Sequence, residues 1–160
     1  MKYRIGQGLD FHKLIDDAPF ILGGINIPYT KGIEGHSDGD LLIHSIVDSL
    51  LGALALGDIG TYFPSSNHKW KNVSSQIFLK HATDLVKSHK YYIVNIDSTI
   101  ILQKPYINDH IESIKKNIAL LLNIDISNIS IKATTTDKMG IIGEGDGIAC
   151  STICLLNNHH

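Results

Sequence analysis

The chain has 160 residues, of which 14 are basic and 16 acidic, with 43% of positions hydrophobic and 19% charged. That length supports one modest core and therefore one domain. A formal charge of −2 argues against nucleic acid or an anionic membrane surface as partner, and no apolar run approaches the roughly 20 residues of a membrane helix.

Residues 3–11 alternate and predict a strand that starts almost at Met1, leaving no room for a signal or transit segment and making the cytosol the default location. Residues 20–28, with Gly23-Gly24 at the centre, read as a hairpin. Leu42, Ile43, Ile46, Val47, Leu50, Leu51 and Leu54 recur at helical spacing, with Ser37 or Asp38 as N-cap and Gly57 as stop. A loop over 58–67 precedes a second helix over 74–90, with Ile77, Ala82, Leu85 and Val86 on its inner side. Residues 95–102 predict a strand ended by Pro105. Asp109-x-x-Glu112 has the pattern of a capping box and opens a third helix through Leu122. Residues 129–136 and 147–156 read as strands, and Gly140, Gly143, Gly145 and Gly147 as loop and bulge positions. Strands interleaved with three helices predict a single α/β domain of α+β type over 1–156, a mixed sheet with the helices on one face. Residues 157–160 are expected to be a polar tail. Cys150 and Cys154 would lie on one strand face about 13 Å apart, too far for a disulfide, and are expected to be small buried residues.

Three scattered positions carry metal chemistry. In Asp10-x-His12 the two side chains point to one strand face, and carboxylate oxygen with imidazole nitrogen suits Zn²⁺ or a similar divalent ion. Alone, the pair also describes two solvated residues at a strand end. His44, on an otherwise apolar helix, is either a satisfied, partly buried side chain or, with Asp10 and His12, completes three protein ligands and leaves a fourth position open, as catalytic zinc sites do. Asp48, one turn later, either holds the other His44 nitrogen or is a surface carboxylate. His36 could be a fourth ligand, or with Ser37 could hold a phosphate at a helix N-terminus. Thr134, Thr135, Thr136, Asp137 and Lys138 could hold phosphate oxygens and a harder ion such as Mg²⁺, or be a threonine-rich strand with a turn.

Taken together, Arg4-Ile5-Gly6-x-Gly8-x-Asp10-x-His12, His36-Ser37-Asp38-Gly39-Asp40, His44, Gly57-Asp58-Ile59-Gly60, Phe63-Pro64, Ala133-Thr134-Thr135-Thr136 and Gly145-Asp146-Gly147-Ile148-Ala149 stand in the order and spacing of a known family. The chain resembles the 2-C-methyl-D-erythritol 2,4-cyclodiphosphate synthases from Arg4 to about Leu156. The resemblance implies that 4-diphosphocytidyl-2-C-methyl-D-erythritol 2-phosphate is cyclised and CMP released. Asp10, His12 and His44 would hold Zn²⁺, Asp137 would place Mg²⁺ or Mn²⁺, and His36 and Thr135 would steady the transition state. Asp58 and Gly60 would bind the methylerythritol portion, and Ile59, Phe63 and Ile141 would also touch the substrate. Leu102, Gln103, Lys104, Pro105, Tyr106, Ile107 and Asn108, with Thr134 to Thr136, would form the cytidine and diphosphate pocket. The family assembles as a homotrimer with active sites between subunits.

The chain departs from the family pattern at three places. Asp137 stands where Glu is usual, Tyr106 where a basic residue is common, and Glu144 where Arg is frequent. With Asp146 on the same face of an extended segment, three copies of Glu144 near a trimer axis would repel an isoprenoid diphosphate there. Two other readings use the same residues: a zinc hydrolase of phosphoanhydrides, and a metal-stabilised binding module without turnover.

Overall fold

The computed structural model describes residues 2–158. The chain opens with β1 (Lys2–Asp16), the hairpin β2 (Ile21–Leu22) and β3 (Ile25–Asn26), and β4 (Lys31–Ile33). Then come α1 (Leu41–Leu54), a short α2 (Ile59–Tyr62), α3 (Gln76–Ser88) and β5 (Tyr92–Ile101). The last part holds α4 (Asn108–Leu122), β6 (Ile129–Thr134), a short α5 (Gly140–Glu144) and β7 (Gly147–Asn158). Five strands form one sheet in the order β4-β1-β7-β5-β6. Only β5 and β6 run parallel, because only they are joined by a crossover helix, α4. The expected mixed sheet with three long helices is therefore present, joined by two short helices.

Alternation along β1 sets the layers. Its even positions, including Gly6, Gly8, Asp10, His12 and Leu14, face inward; Tyr3, Ile5, Leu9 and Phe11 are 51–72% exposed on the other face. Helix α1 is buried on nearly every side because it lies between the sheet and α3. Its two inward serines are satisfied locally: Ser45 Oγ donates to the Leu42 carbonyl and meets Thr152 Oγ1 at 2.7 Å, and Ser49 Oγ donates to the Ile46 carbonyl. Cys150 and Cys154 are buried and free, as expected; burial pushes the Cys150 thiol up to about 11. Among the described residues no helix is long and apolar enough to cross a membrane.

Several boundaries differ from expectation for physical reasons. The cap of α1 is Asp40, whose carboxylate accepts from Ile43 N at 3.1 Å; Ser37 and Asp38 lie further upstream and serve other contacts. The helix stops at Ala55 in the left-handed region, two residues before Gly57. On α3 the buried stripe is Phe78, Leu79, Ala82, Thr83 and Val86, while Ile77 is turned outward. No capping box forms on α4: Asp109 sits within the first turn, and Glu112 faces Lys116 one turn on. Residues 140–144 form a helical turn instead of a loop. Glu144 closes that turn, and the Asp146 carboxylate accepts from Lys31 Nζ at 2.7 Å, so Asp146 is paired with a lysine and does not share an extended face with Glu144. Strand β7 runs on through Asn157 and Asn158, paired with Tyr3 and Lys2, so these two residues, expected in the polar tail, belong to the sheet. His159 and His160 lie outside the described residues.

Candidate metal and phosphate site

Asp10 and His12 project from the inner face of β1, and His44 descends on them from the first turn of α1. Asp10 Oδ2 stands 3.0 Å from His12 Nε2 and 3.1 Å from His44 Nδ1. One ligand atom from each of the three residues lies within 4.8 Å of the others. The outer ring nitrogens are held: His12 Nδ1 bonds the Glu34 carbonyl, and His44 Nε2 lies 3.0 Å from Ser37 Oγ and 2.9 Å from Ser75 Oγ. With its N–H spent on that carbonyl, a neutral His12 presents a lone pair to the same carboxylate oxygen that His44 Nδ1 faces. Such a cluster of donors needs a cation or added protons between them. One hard oxygen and two imidazole nitrogens fit a divalent metal ion.

The electrostatics follow from the same contacts. Burial would raise the Asp10 carboxyl, but with added protons between the rings and the carboxylate its bonds to His12 and His44 outweigh burial and hold the group well below the usual carboxylate range. For His12 burial acts downward, and Asp10 overcomes it and raises the ring.

Asp48 does not hold His44. Its Oδ1 accepts from Ile59 N at 2.7 Å, which ties the loop before α2 to α1, and burial raises its carboxyl. The role foreseen for Asp48 falls to Ser37 and Ser75. Ser75 Oγ in turn donates to Asp38, which also accepts from Ser75 N at 2.9 Å. Sequence reasoning missed Ser75. It precedes α3 in the N-cap position, and a serine there reads as a cap; yet its side chain makes no capping bond.

His36 and Ser37 do not sit at the N-terminus of α1, which Asp40 closes. His36 lies in the loop before it, its carbonyl accepting from Asn72 N at 2.9 Å, with its Nε2 buried and unpartnered among the described residues. The Ser37 hydroxyl points inward to His44. Asp58 caps α2 through Thr61 N and Thr61 Oγ1, each at 2.9 Å, and these bonds lower its carboxyl. Phe63 packs against Phe78, Trp70 and His81 as a wall beside that turn.

The second expected cluster gathers elsewhere. Residues 102–103, 105–108 and 133–135 line a cavity of about 240 Å³ that contains no residue of the Asp10 cluster. Leu102 and Ile107 are core side chains there and offer only backbone. Lys104 lies over the Tyr106 ring at 3.6 Å. Gln103 Oε1 accepts from Lys138 N at 3.1 Å, which fastens the turn carrying Asp137 to this pocket. Thr135 Oγ1 accepts from Asp137 N at 3.2 Å. Thr136 and Ile141 border a different cavity, of about 630 Å³, together with His12.

The model of the YgbB family matches residues 3–157. A 2-C-methyl-D-erythritol 2,4-cyclodiphosphate synthase of Chloroherpeton thalassium is 47% identical over 153 residues, which cover 96% of this chain and 98% of that protein. The solved IspF of Plasmodium falciparum in complex with CDP superposes with a TM-score of 0.88 at 43% identity, covering 99% of this chain and 97% of that one. The bifunctional IspDF of Campylobacter jejuni gives a TM-score of 0.95 at 39% identity; this chain spans 43% of its length. On the whole-length match the chain belongs to the YgbB family, the family of the 2-C-methyl-D-erythritol 2,4-cyclodiphosphate synthases.

Proposed function

We propose that the chain converts 4-diphosphocytidyl-2-C-methyl-D-erythritol 2-phosphate to 2-C-methyl-D-erythritol 2,4-cyclodiphosphate and CMP, in the non-mevalonate route to isoprenoid precursors. The observation that carries this reading is the convergence of Asp10, His12 and His44 within 4.8 Å on a chain 47% identical to such a synthase. In the reaction an oxygen of the 2-phosphate attacks the β-phosphorus, the bond from that phosphorus to the oxygen shared with the α-phosphate breaks, and CMP leaves with that oxygen. The nucleophile belongs to the substrate, so the protein's work is positioning and charge neutralisation.

Asp10, His12 and His44 would hold Zn²⁺, and Asp137 would hold Mg²⁺ or Mn²⁺ against the diphosphate; such ions neutralise phosphate charge and polarise the phosphoryl group. His36 and Thr135, the latter with its exposed hydroxyl, steady phosphate oxygens. The 102–108 pocket takes cytidine, with Thr134 beside it, and Asp58 to Gly60 take the polyol. His12 of the metal cluster and residues 102–103 and 105–108 line separate cavities on one chain. That separation, and the exposed apolar face bearing Ile5, Leu9 and Phe11, support a homotrimer whose active sites combine the metal side of one subunit with the cytidine side of the next.

Product analysis tests the reading. Cyclic diphosphate with CMP is expected. CMP with a linear product would replace it with a hydrolase, and the absence of CMP with a binding module.

A further inference from the structure

We propose that Ser75, backed by Asp38, is a positioning residue that locks His44 in the tautomer with a bare Nδ1, the nitrogen aimed at the metal position. This rests on the reading that Asp10, His12 and His44 hold a divalent ion.

The direction of the hydrogen-bond chain fixes the tautomer. The Asp38 carboxylate accepts from Ser75 N at 2.9 Å, from Asp40 N at 3.2 Å and from Ser75 Oγ. An ionised carboxylate can only accept, so the single hydroxyl proton of Ser75 is committed to it. Ser75 Oγ, 2.9 Å from His44 Nε2, then has only lone pairs to offer and must accept a proton from the ring. His44 therefore carries its hydrogen on Nε2, and Nδ1 presents a free lone pair to the metal position. A carboxylate behind a metal-bound histidine usually contacts the ring directly; here a serine is interposed.

The placement of Ser75 supports a dedicated role. It is fully buried and stands at the N-cap of α3, where a serine side chain ordinarily accepts from the helix N–H groups. Its side chain makes no such bond and turns to another helix instead. Ser37 Oγ, 3.0 Å from the same nitrogen and 3.3 Å from Ser75 Oγ, has no committed proton and so cannot fix the tautomer by itself.

The test uses the purified full-length protein with Co²⁺ as probe. Ser75→Ala should weaken Co²⁺ binding roughly 10- to 100-fold and change the visible spectrum of the bound ion. In the metal-free protein, nitrogen NMR of the His44 ring should show the hydrogen redistributed between Nδ1 and Nε2, a signature that general loosening of the fold would not give. Should Ser75→Ala fail to fold by circular dichroism, Asp38→Asn keeps the volume and the serine and should give the same change of tautomer with a smaller loss of affinity. Wild-type protein that binds no Co²⁺, or binds it independently of His44, would overturn the metal reading and this inference with it. Normal wild-type binding, with affinity and tautomer unchanged in both variants, would overturn this inference alone.

Discussion

The carbonyl oxygen of Ser45 rests on the α-carbon of Gly8, so closely that a methyl group built on Gly8 would stand 1.9 Å from it. Ser45 directly follows His44, and Gly8 lies two residues before Asp10 on the same strand face. The depth at which α1 settles on β1 is therefore the depth at which His44 meets Asp10. Gly6 repeats the contact one turn along, against Ser49.

Gly8→Ala cannot be relieved by rotating a side chain, because the opposing atoms are backbone. The helix must lift. Overpacking of this kind costs about 1–3 kcal/mol or more, and the lifted helix carries His44 off Asp10. We expect a lowered denaturation midpoint together with metal affinity reduced roughly tenfold or more. A stable variant with wild-type metal affinity would show that the contact does not set the site.

Asp48 links the metal side to the proposed polyol loop through its bond from Ile59 N at 2.7 Å. Asp48→Ala frees that loop and leaves the Asp10, His12 and His44 donors in place. The expected result is a KM raised roughly tenfold, about what one lost bond to a charged group implies, with kcat and metal content near wild type. A fall in kcat at unchanged KM would mean that Asp48 acts on the reacting atoms instead.

The architecture was legible in the sequence because two periodicities dominate it: alternation along β1, and the apolar run from Leu42 to Leu54 on α1. The three metal-facing residues were legible for the same reason, since strand pleat and helix face place Asp10, His12 and His44. What stayed hidden depends on contacts between distant segments. Nothing near residue 40 announces that its carboxylate will bind Gly23 and Gly24, or that a serine at position 75 will turn from its own helix to His44. The helical turn at 140–144 was obscured by glycines, which weaken any local helix signal.

Thr135 offers the most direct probe of the proposed phosphate contacts. It is exposed, and among the described residues its hydroxyl is held in a turn with Asp137, at 3.2 and 3.3 Å. Thr135→Val preserves shape and removes the donor, so the fold should be unaffected. Turnover should fall about a hundred- to a thousand-fold, the usual effect of losing one donor to developing charge. Wild-type turnover in the folded variant would remove Thr135 from the mechanism.

Asp40 yields a pH prediction of known sign. The residue is fully buried, and its carboxylate accepts from Gly23 N at 2.9 Å, Gly24 N at 2.6 Å and Ile43 N at 3.1 Å. Burial favours the neutral acid, the three N–H donors oppose it, and burial prevails: the carboxyl is pushed from 3.8 up to about 6. In the unfolded chain the proton leaves near the ordinary value, whereas the folded protein keeps it until about pH 6. Between these values the folded state binds more protons, so stability contributed by this group is full below about pH 4 and is lost as pH rises through 6. A shift of that size corresponds to a loss on the order of 3 kcal/mol. Asp40→Asn does not titrate, and its amide imposes a constant penalty by setting an NH₂ group against one of the N–H donors. Urea denaturation of both proteins from pH 4 to pH 7 isolates the effect, because other groups cancel in the difference. The advantage of the wild type over Asp40→Asn should shrink from about pH 4 to pH 6 and level off above that. A difference that stays flat, or grows with pH, would show that the three backbone donors outweigh burial and that Asp40 is ionised throughout.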